Sequence, residues 1–449
     1  MPGPEGKIKV GLISLGCPKN LVDSEVMLGL LKKDGFELTN DEAQADVMIV
    51  NTCAFIDPSK KESVQTVLDV ARRKSKGRLK KLIVTGCLPQ RYKGDLEKEL
   101  PEVDHFLGTG EFHRIAEFAR MGGPLPLVRS VVKRPQFLYD YATPRISTLP
   151  KHTVYVKVGE GCSRACSFCV IPRLRGRVRS RTIESVAREV ERYARSGVLE
   201  INLLAQDLTA YGHDLNDGTD LEGLLKRLVD VKGVRWIRLL YTYPMHFTRG
   251  LVRLIASSPQ ILKYLDIPLQ HIDGDLLASM QRRVDEKETR DLLTELRSSI
   301  PNLTLRTTLI VGFPGESKAQ FEKLVRFVEE TEFDRLGVFT YSREEGTKAA
   351  LLPNQVPERV KNLRRDRIMG IAQKISLKKN LAHVGEEMDV LVDRTADHAD
   401  GYTHVGRTEG QALDIDGTVF LKGKGVAAGR LVRARITGAA EYDLFAEAI

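Results

Sequence analysis

No stretch of this chain approaches the roughly 20 consecutive apolar residues needed to cross a bilayer. Its start, Met1 to Lys9 (MPGPEGKIK), lacks the apolar core of a secretory leader. A membrane partner is therefore not expected, and a cytoplasmic location is. Cysteine is scarce, with six in 449 residues. That is too few for a disulfide framework and leaves metal binding or catalysis as the expected use in a reducing compartment. Low-complexity tracts and solenoid-type repeats are missing as well, so disorder is not the starting assumption. Neither a Ser/His/Asp triad pattern nor a P-loop appears.

What is present reads as a globular protein, 42% hydrophobic and 29% charged. At roughly 150 residues per domain its length suggests about three domains. The net charge of +9 favours an acidic partner such as nucleic acid or a ribosome surface. The charge is uneven, however. From Leu381 to Ile449 there are 7 Lys and Arg against 12 Asp and Glu, a net of −5, which leaves +14 on the first 380 residues.

Strand and helix patterns alternate at the start: Ile8 to Ser14, Asp23 to Lys33, Val47 to Asn51, Ser59 to Lys74, Leu82 to Thr85. This predicts a small parallel α/β domain. Cys17, Cys53 and Cys87 each follow a strand at once, 36 and 34 residues apart, about one βα unit. In a parallel sheet the carboxyl ends of the strands share one edge, where such sheets bind ligands, so three distant cysteines can meet. Met121 to Pro150 reads as a linker or strap.

A longer series follows, with predicted strands at Thr153 to Val158, Leu199 to Leu204, Trp236 to Leu240, Tyr264 to Pro268, Leu303 to Val311 and Leu336 to Tyr341. Helices separate them, with Thr182 and Asp220 placed as N-caps. Six βα units are too few for a closed eight-unit barrel, so a partial (βα)6 barrel open on one side is expected. A helix from Glu358 to about Asn380 closes the series. The tail has short alternating runs (Met388 to Val392, Thr418 to Leu421, Leu431 to Ile436) that predict a small antiparallel β-barrel of OB-like type.

Within Gly161 to Cys169 (GCSRACSFC), Cys162, Cys166 and Cys169 form a C-x3-C-x2-C loop directly after the first barrel strand. Four-iron clusters take four ligands, mostly thiolates, so a three-cysteine loop leaves one iron open. The loop resembles that of the radical S-adenosylmethionine enzymes. The resemblance implies that the open iron chelates S-adenosylmethionine, whose reductive cleavage yields a hydrogen-abstracting radical, with Phe168 beside the adenine. The competing reading is zinc, but structural zinc takes four ligands and no fourth Cys or His lies nearby. Singly, Cys17, Cys53 and Cys87 are weak signals, since a lone Cys is most often a small buried hydrophobe. Together, at the ends of three strands of one sheet, they suit a second cluster.

SLGCPKNLVDSE (Ser14 to Glu25), NTCAFID (Asn51 to Asp57), VTGCLPQRY (Val84 to Tyr92) and EGCSRACSFCVIP (Glu160 to Pro172) resemble, over nearly the whole chain, the methylthiotransferases of the radical S-adenosylmethionine class. That resemblance implies an N-terminal auxiliary-cluster domain (7–125), a radical barrel (148–380) and a C-terminal TRAM domain (381–449). It also implies two [4Fe-4S] clusters, S-adenosylmethionine as cofactor, and an electron donor. AQDLTAYG (Ala205 to Gly212), YTYPMHF (Tyr241 to Phe247) and DIPLQHIDGDLL (Asp266 to Leu277) look like the branch acting on ribosomal protein twelve of the small subunit. The tRNA branch typically shows GQNVN and PVQSGS instead. The implied product is β-methylthioaspartate, with sulfur carried at the auxiliary cluster. A tail of net −5 should repel the tRNA backbone and attract a basic protein, unless its acids form an ordinary solvated face. The tRNA enzyme is the first alternative; a non-catalytic zinc-stabilised binding module is the second.

Other residues stay open between two readings. Arg173, Arg175, Arg177, Arg179 and Arg181 suit a carboxylate of cofactor or substrate, or a solvated face. Gly312, Phe313, Gly315 and Glu316, in GFPGE after the fifth barrel strand, suit cofactor contact or a structural turn. Gln206 and Asp207 end a strand and suit cofactor or substrate. His271 is a substrate candidate or a packed histidine. Ala71 to Lys81 (ARRKSKGRLKK) is a solvated helix end or an RNA contact.

Overall fold

The computed structural model describes residues 7–74, 77–120, 129–398 and 400–449. Residues 1–6 of the N-terminal stretch, Ser75 and Lys76 of the basic segment, and 121–128 of the expected linker lie outside the described residues. The chain divides into two units. One comprises Met1–Thr148, Gly159–Arg164 and Cys169–Arg181; the other comprises Leu149–Val158, Ala165–Phe168 and Thr182–Ile449.

In the first unit a parallel sheet runs in the order Glu37–Leu38, Lys9–Ser14, Val47–Thr52, Lys81–Gly86, His105–Leu107, Ser130–Val131. Val47–Thr52 and Lys81–Gly86 are buried at every residue, as central strands covered on both faces must be. The three expected strands are the three that sit side by side. The other three are two or three residues long, too short to show a period.

The helix expected from Asp23 begins at Pro18 and ends at Lys33, with Pro18 in its first turn and Cys17 as N-cap. Its first two turns bury Lys19, Asn20, Asp23, Ser24 and Glu25 beside Val22, and the purely apolar burial of Val26, Met27 and Leu31 comes only later. An apolar stripe therefore could not mark its start. Glu25 anchors the described part of the strap: its carboxylate accepts from Arg145 Nε at 2.9 Å and from Thr148 N at 2.6 Å.

The second unit holds six parallel strands in an open sheet, in the order Arg335–Thr340, Thr304–Val311, Ile261–Asp266, Trp236–Leu240, Glu200–Leu204, Thr153–Lys157. The predicted caps form: Thr182 accepts from Ser185 N and Asp220 from Gly223 N. The fourth strand lies upstream of its predicted range because Pro268 has no N–H for the ladder, while Ile261 and Leu262 are buried. Helix Glu358–Ala382 follows. No helix among the described residues is long and apolar enough to cross a membrane.

The C-terminal strands Glu387–Thr395, His404–Arg407, Val419–Lys422, Leu444–Ala448 and Leu431–Ala439 close into a barrel in that order. Four pairings are antiparallel and one, Val419–Lys422 with Leu444–Ala448, is parallel. A closed ring of five strands cannot alternate direction all the way round. Inward residues Val390, Val392, Val419, Leu421, Ala434, Ile436, Leu444 and Ala446 fill it.

Charge fixes this barrel to the sheet. Glu200 accepts from Arg238 Nε at 3.1 Å, Arg407 Nη2 at 2.7 Å and Thr153 Oγ1 at 2.8 Å. Arg407 Nε also donates to Asp393 at 2.8 Å, and Asp393 pairs with His152 Nε2 at 3.0 Å. Glu200 and Thr153 are the first residues of their strands. The β-barrel thus grips amino ends and leaves the opposite ends, where such sheets carry their chemistry, uncovered by these contacts.

Candidate active site

The expected cysteine trio of the first unit forms at one sheet edge. Cys17 caps the helix after Lys9–Ser14, Cys53 follows Val47–Thr52, and Cys87 opens the helix after Lys81–Gly86; these strands are adjacent. Two glycines permit the approach. Gly16 has φ +88°, and a Cβ there would sit 2.7 Å from Cys53 Cβ. Gly86 has φ +96°, and a Cβ there would sit 2.6 Å from the Thr52 carbonyl oxygen. Alanine at position 16 is therefore expected to displace the Cys53 loop and to cost about half of the roughly eight irons of a two-cluster protein. Iron analysis after anaerobic reconstitution checks this; an unchanged iron content would contradict it.

Polar side chains of the same motifs lock the loops. Asn20 Nδ2 donates to the Leu15 carbonyl at 2.6 Å, Asn51 Nδ2 donates to Asn20 O at 2.9 Å, and Ser63 Oγ accepts from Cys53 N at 3.0 Å. Burial raises the Cys53 thiol and pushes Cys87 up to about 12. Such thiols are inert alone and become ligands when a metal displaces the proton. No group of three His, Cys, Asp or Glu among the described residues suits a single metal ion. A four-iron cube binds each thiolate through a different iron and so does not need three side chains on one point, and the all-cysteine donor set fits it.

The C-x3-C-x2-C loop is closed by a ribbon the sequence did not reveal, Gly159–Glu160 antiparallel to Arg179–Ser180. Gly161, at φ +87°, lies against the Arg177 carbonyl, where no Cβ fits. Backbone N–H groups donate to sulfur, Arg164 N to Cys162 Sγ and Ile171 N to Cys169 Sγ, each at 3.4 Å. Amides aimed at sulfur favour thiolates, so these cysteines also suit a cluster.

The remaining site residues divide. Phe168 packs with Phe313, Met280, Leu276 and Tyr341 in one apolar cluster, so the structure brings the loop aromatic and the GFPGE turn together. Gly312 and Gly315 have φ +74° and +83°. Glu316 is fully buried, holding Gly312 N, Arg364 Nη1 at 2.9 Å and His271 Nε2 at 3.4 Å. His271 is buried as well and accepts from Asp273 N at 3.0 Å through Nδ1. Both shape the turn rather than face an open site. Asp207 is buried as a cap, accepting from Thr209 Oγ1 at 2.8 Å and Ala210 N at 3.2 Å. Gln206 is half-buried beside it. Arg181 is buried with its guanidinium 4.5 Å from the Tyr139 ring centre.

Of the five arginines, Arg173 and Arg177 are exposed and Arg179 is half-buried. Arg175 turns inward. Its Nη1 meets Asp23 Oδ2 at 2.5 Å and Glu160 Oε2 at 3.4 Å, while Nη2 meets Asn20 Oδ1 at 2.9 Å and Cys87 Sγ at 3.7 Å. Burial disfavours its charge, but Asp23, Cys87 and Glu160 outweigh that and raise it well above the usual value. Spacing at every second position carries no sign that Arg175 and Arg181 are buried while the other three are not. In the basic stretch 71–81, Arg73, Lys74 and Arg78 pair with Glu42, Asp104 and Asp46.

Family profiles match in the same places. The uncharacterized protein family UPF0004 matches residues 9–108, the radical SAM superfamily 156–328, and the TRAM domain 384–449. The radical S-adenosylmethionine methyltransferase TsrM of Kitasatospora setae, solved with tryptophan and a cofactor analogue, shares the fold at TM-score 0.55 and 16% identity, over 74% of this chain and 73% of that one. The ribosomal protein uS12 methylthiotransferase RimO of Syntrophotalea carbinolica is 51% identical over 99% of this chain and 97% of its own. Its counterpart in Geobacter sulfurreducens is 49% identical over 99% of both. With six cysteines in two loop systems and this identity from end to end, the chain belongs to the RimO family of radical S-adenosylmethionine methylthiotransferases.

Proposed function

We propose that the chain attaches a methylthio group to the β-carbon of an aspartate of ribosomal protein uS12. The meeting of Cys17, Cys53 and Cys87 on one sheet edge in a chain that also holds a radical loop carries the methylthio-transfer chemistry, and identity of about 50% from end to end with uS12 methylthiotransferases carries the substrate. When bound, S-adenosylmethionine and the two [4Fe-4S] clusters supply the radical chemistry, the methyl group and the place where sulfur is carried. The chain's residues supply position. Cys162, Cys166 and Cys169 hold one cluster, and Cys17, Cys53 and Cys87 hold the other. Phe168 and Phe313 give an apolar wall, and the buried carboxylate of Glu316 fixes the Gly312 to Glu316 turn, in which Gly315 is exposed and Gly312 packs on the Lys361 side chain. Gln206 is assigned to cofactor contact. Asp207, His271 and Arg181 support neighbouring loops instead of touching substrate.

The same reading divides the chain into an auxiliary-cluster domain (7–125), a radical barrel (148–380) and a TRAM domain (381–449). It places the reaction in the cytoplasm with an electron donor, and it assigns no role to tRNA. Purified, anaerobically reconstituted protein tests it when given S-adenosylmethionine, a sulfur source, a reductant and uS12. Mass spectrometry should find one methylthio group on an aspartate of uS12. A modified tRNA with unmodified uS12, or a colourless zinc protein that leaves the cofactor intact, would overturn it.

A further inference from the structure

Arg175 is a charged side chain in hydrogen-bond contact with a cysteine of the auxiliary trio, and it is 2% exposed. A guanidinium buried only to tie two segments together would have its nitrogens satisfied by carboxylates or carbonyls. Here the fork is split. Nη1 takes the two acids, Asp23 and Glu160, whereas Nη2 faces Asn20 Oδ1 and the sulfur of Cys87. Asn20 and Asp23 belong to the helix that Cys17 caps, and Asn20 also donates to the Leu15 carbonyl in the Cys17 loop. One side chain therefore reads two of the three cysteine-bearing segments. The planar geometry of arginine lets it hold acids on one nitrogen while presenting N–H to sulfur on the other, which an ammonium on a flexible stem cannot reproduce.

We propose that Arg175 is a positioning residue of the auxiliary cluster site, which donates a charged hydrogen bond to Cys87 sulfur and thereby sets the reduction potential of the cluster held there. This rests on the assignment of Cys17, Cys53 and Cys87 as its ligands. Hydrogen bonds to ligand sulfur and nearby positive charge stabilise the electron-rich reduced state, so they raise the potential. Asp23 and Glu160 hold the guanidinium in place and damp its charge. The two kinds of partner therefore act with opposite sign: removing the cation lowers the potential, and neutralising an acid raises it.

The test uses full-length protein carrying Cys162→Ala, Cys166→Ala and Cys169→Ala, so that only the auxiliary site can load. Its potential is read by redox titration monitored by electron paramagnetic resonance, with iron counted in parallel. Arg175→Met is expected to shift the reduction equilibrium at least tenfold toward the oxidised cluster, ~59 mV for a one-electron couple. Asp23→Asn is expected to shift it the other way. Unchanged potentials, or shifts of the same sign in both variants, would overturn the proposal in favour of a purely structural ion pair. If Arg175→Met cannot hold iron, Asp23→Asn decides alone: a raised potential supports the role and an unchanged one overturns it. Should the triple-alanine protein with Arg175 intact hold no iron, the ligand assignment itself fails, and the proposal with it.

Discussion

Cys166→Ala is expected to abolish reductive cleavage of S-adenosylmethionine while leaving about four of roughly eight irons in place. The loop Gly161 to Cys169 offers three thiols to one cube and has no spare ligand among its nine residues. Loss of one thiolate leaves two, too few to hold the cube with an open iron. The auxiliary trio sits on a different set of strand ends and should keep its iron. Cleavage assays together with iron analysis check both halves. Retained cleavage, or loss of all iron, would contradict the division of six cysteines into two independent sets.

The second large effect is on stability. Glu200→Gln is expected to destabilise the unit containing the radical barrel and the TRAM domain by about 3–5 kcal/mol, because it leaves Arg238 and part of Arg407 buried against a neutral amide. Burial opposes ionisation of Glu200, but Arg407 and Arg238 outweigh it and hold the carboxyl well below the usual range. A carboxyl lowered on folding contributes its stability above the unfolded value, about 4.3 for Glu, and loses it as pH falls through the folded value. The gap between wild type and variant should therefore be full near neutrality and shrink below about pH 4. Chemical unfolding at both pH values checks this. A difference under about 1 kcal/mol at pH 7, as for an exposed pair, would contradict it.

The same network bears on the tail's charge. Of its acids, Asp393 and Asp416 are buried against Arg407 and Arg306, and Glu387 pairs with Arg433 and Arg435. Arg407, Arg433 and Arg435 are already counted in the net of −5, so of these pairs only Asp416 with Arg306 engages a cation from outside the tail, and the acidic excess stands almost whole. Asp397, Asp400 and Glu441 are exposed.

Strand-end cysteines were legible because a strand followed at once by Cys is a local signal, and parallel βα order then dictates that the ends share an edge. The six-strand count was legible for the same reason, since each strand is a compact apolar run. What stayed hidden was set by long-range pairing. Gly159–Glu160 finds Arg179–Ser180 across the cysteine loop, a ribbon two residues deep with no period to read. His404–Arg407 and Leu444–Ala448 acquire their strand character only when the five-stranded ring closes. His271 and Asp207 read from the sequence as strand-end candidates, and what the sequence did not show is that His271 Nδ1 and Asp207 Oδ1 each accept from a backbone N–H two or three residues on. Arg175 reads in the sequence like its four neighbours, a carboxylate ligand or part of a solvated face, and in the structure it is buried, as Arg181 is, and touches sulfur.

The most direct test of the assigned activity compares uS12 and tRNA from cells with and without the gene, by mass spectrometry of both. Deletion is expected to remove one methylthio group from uS12 and to leave tRNA hypermodification intact. An unmodified tRNA beside a fully methylthiolated uS12 would contradict it.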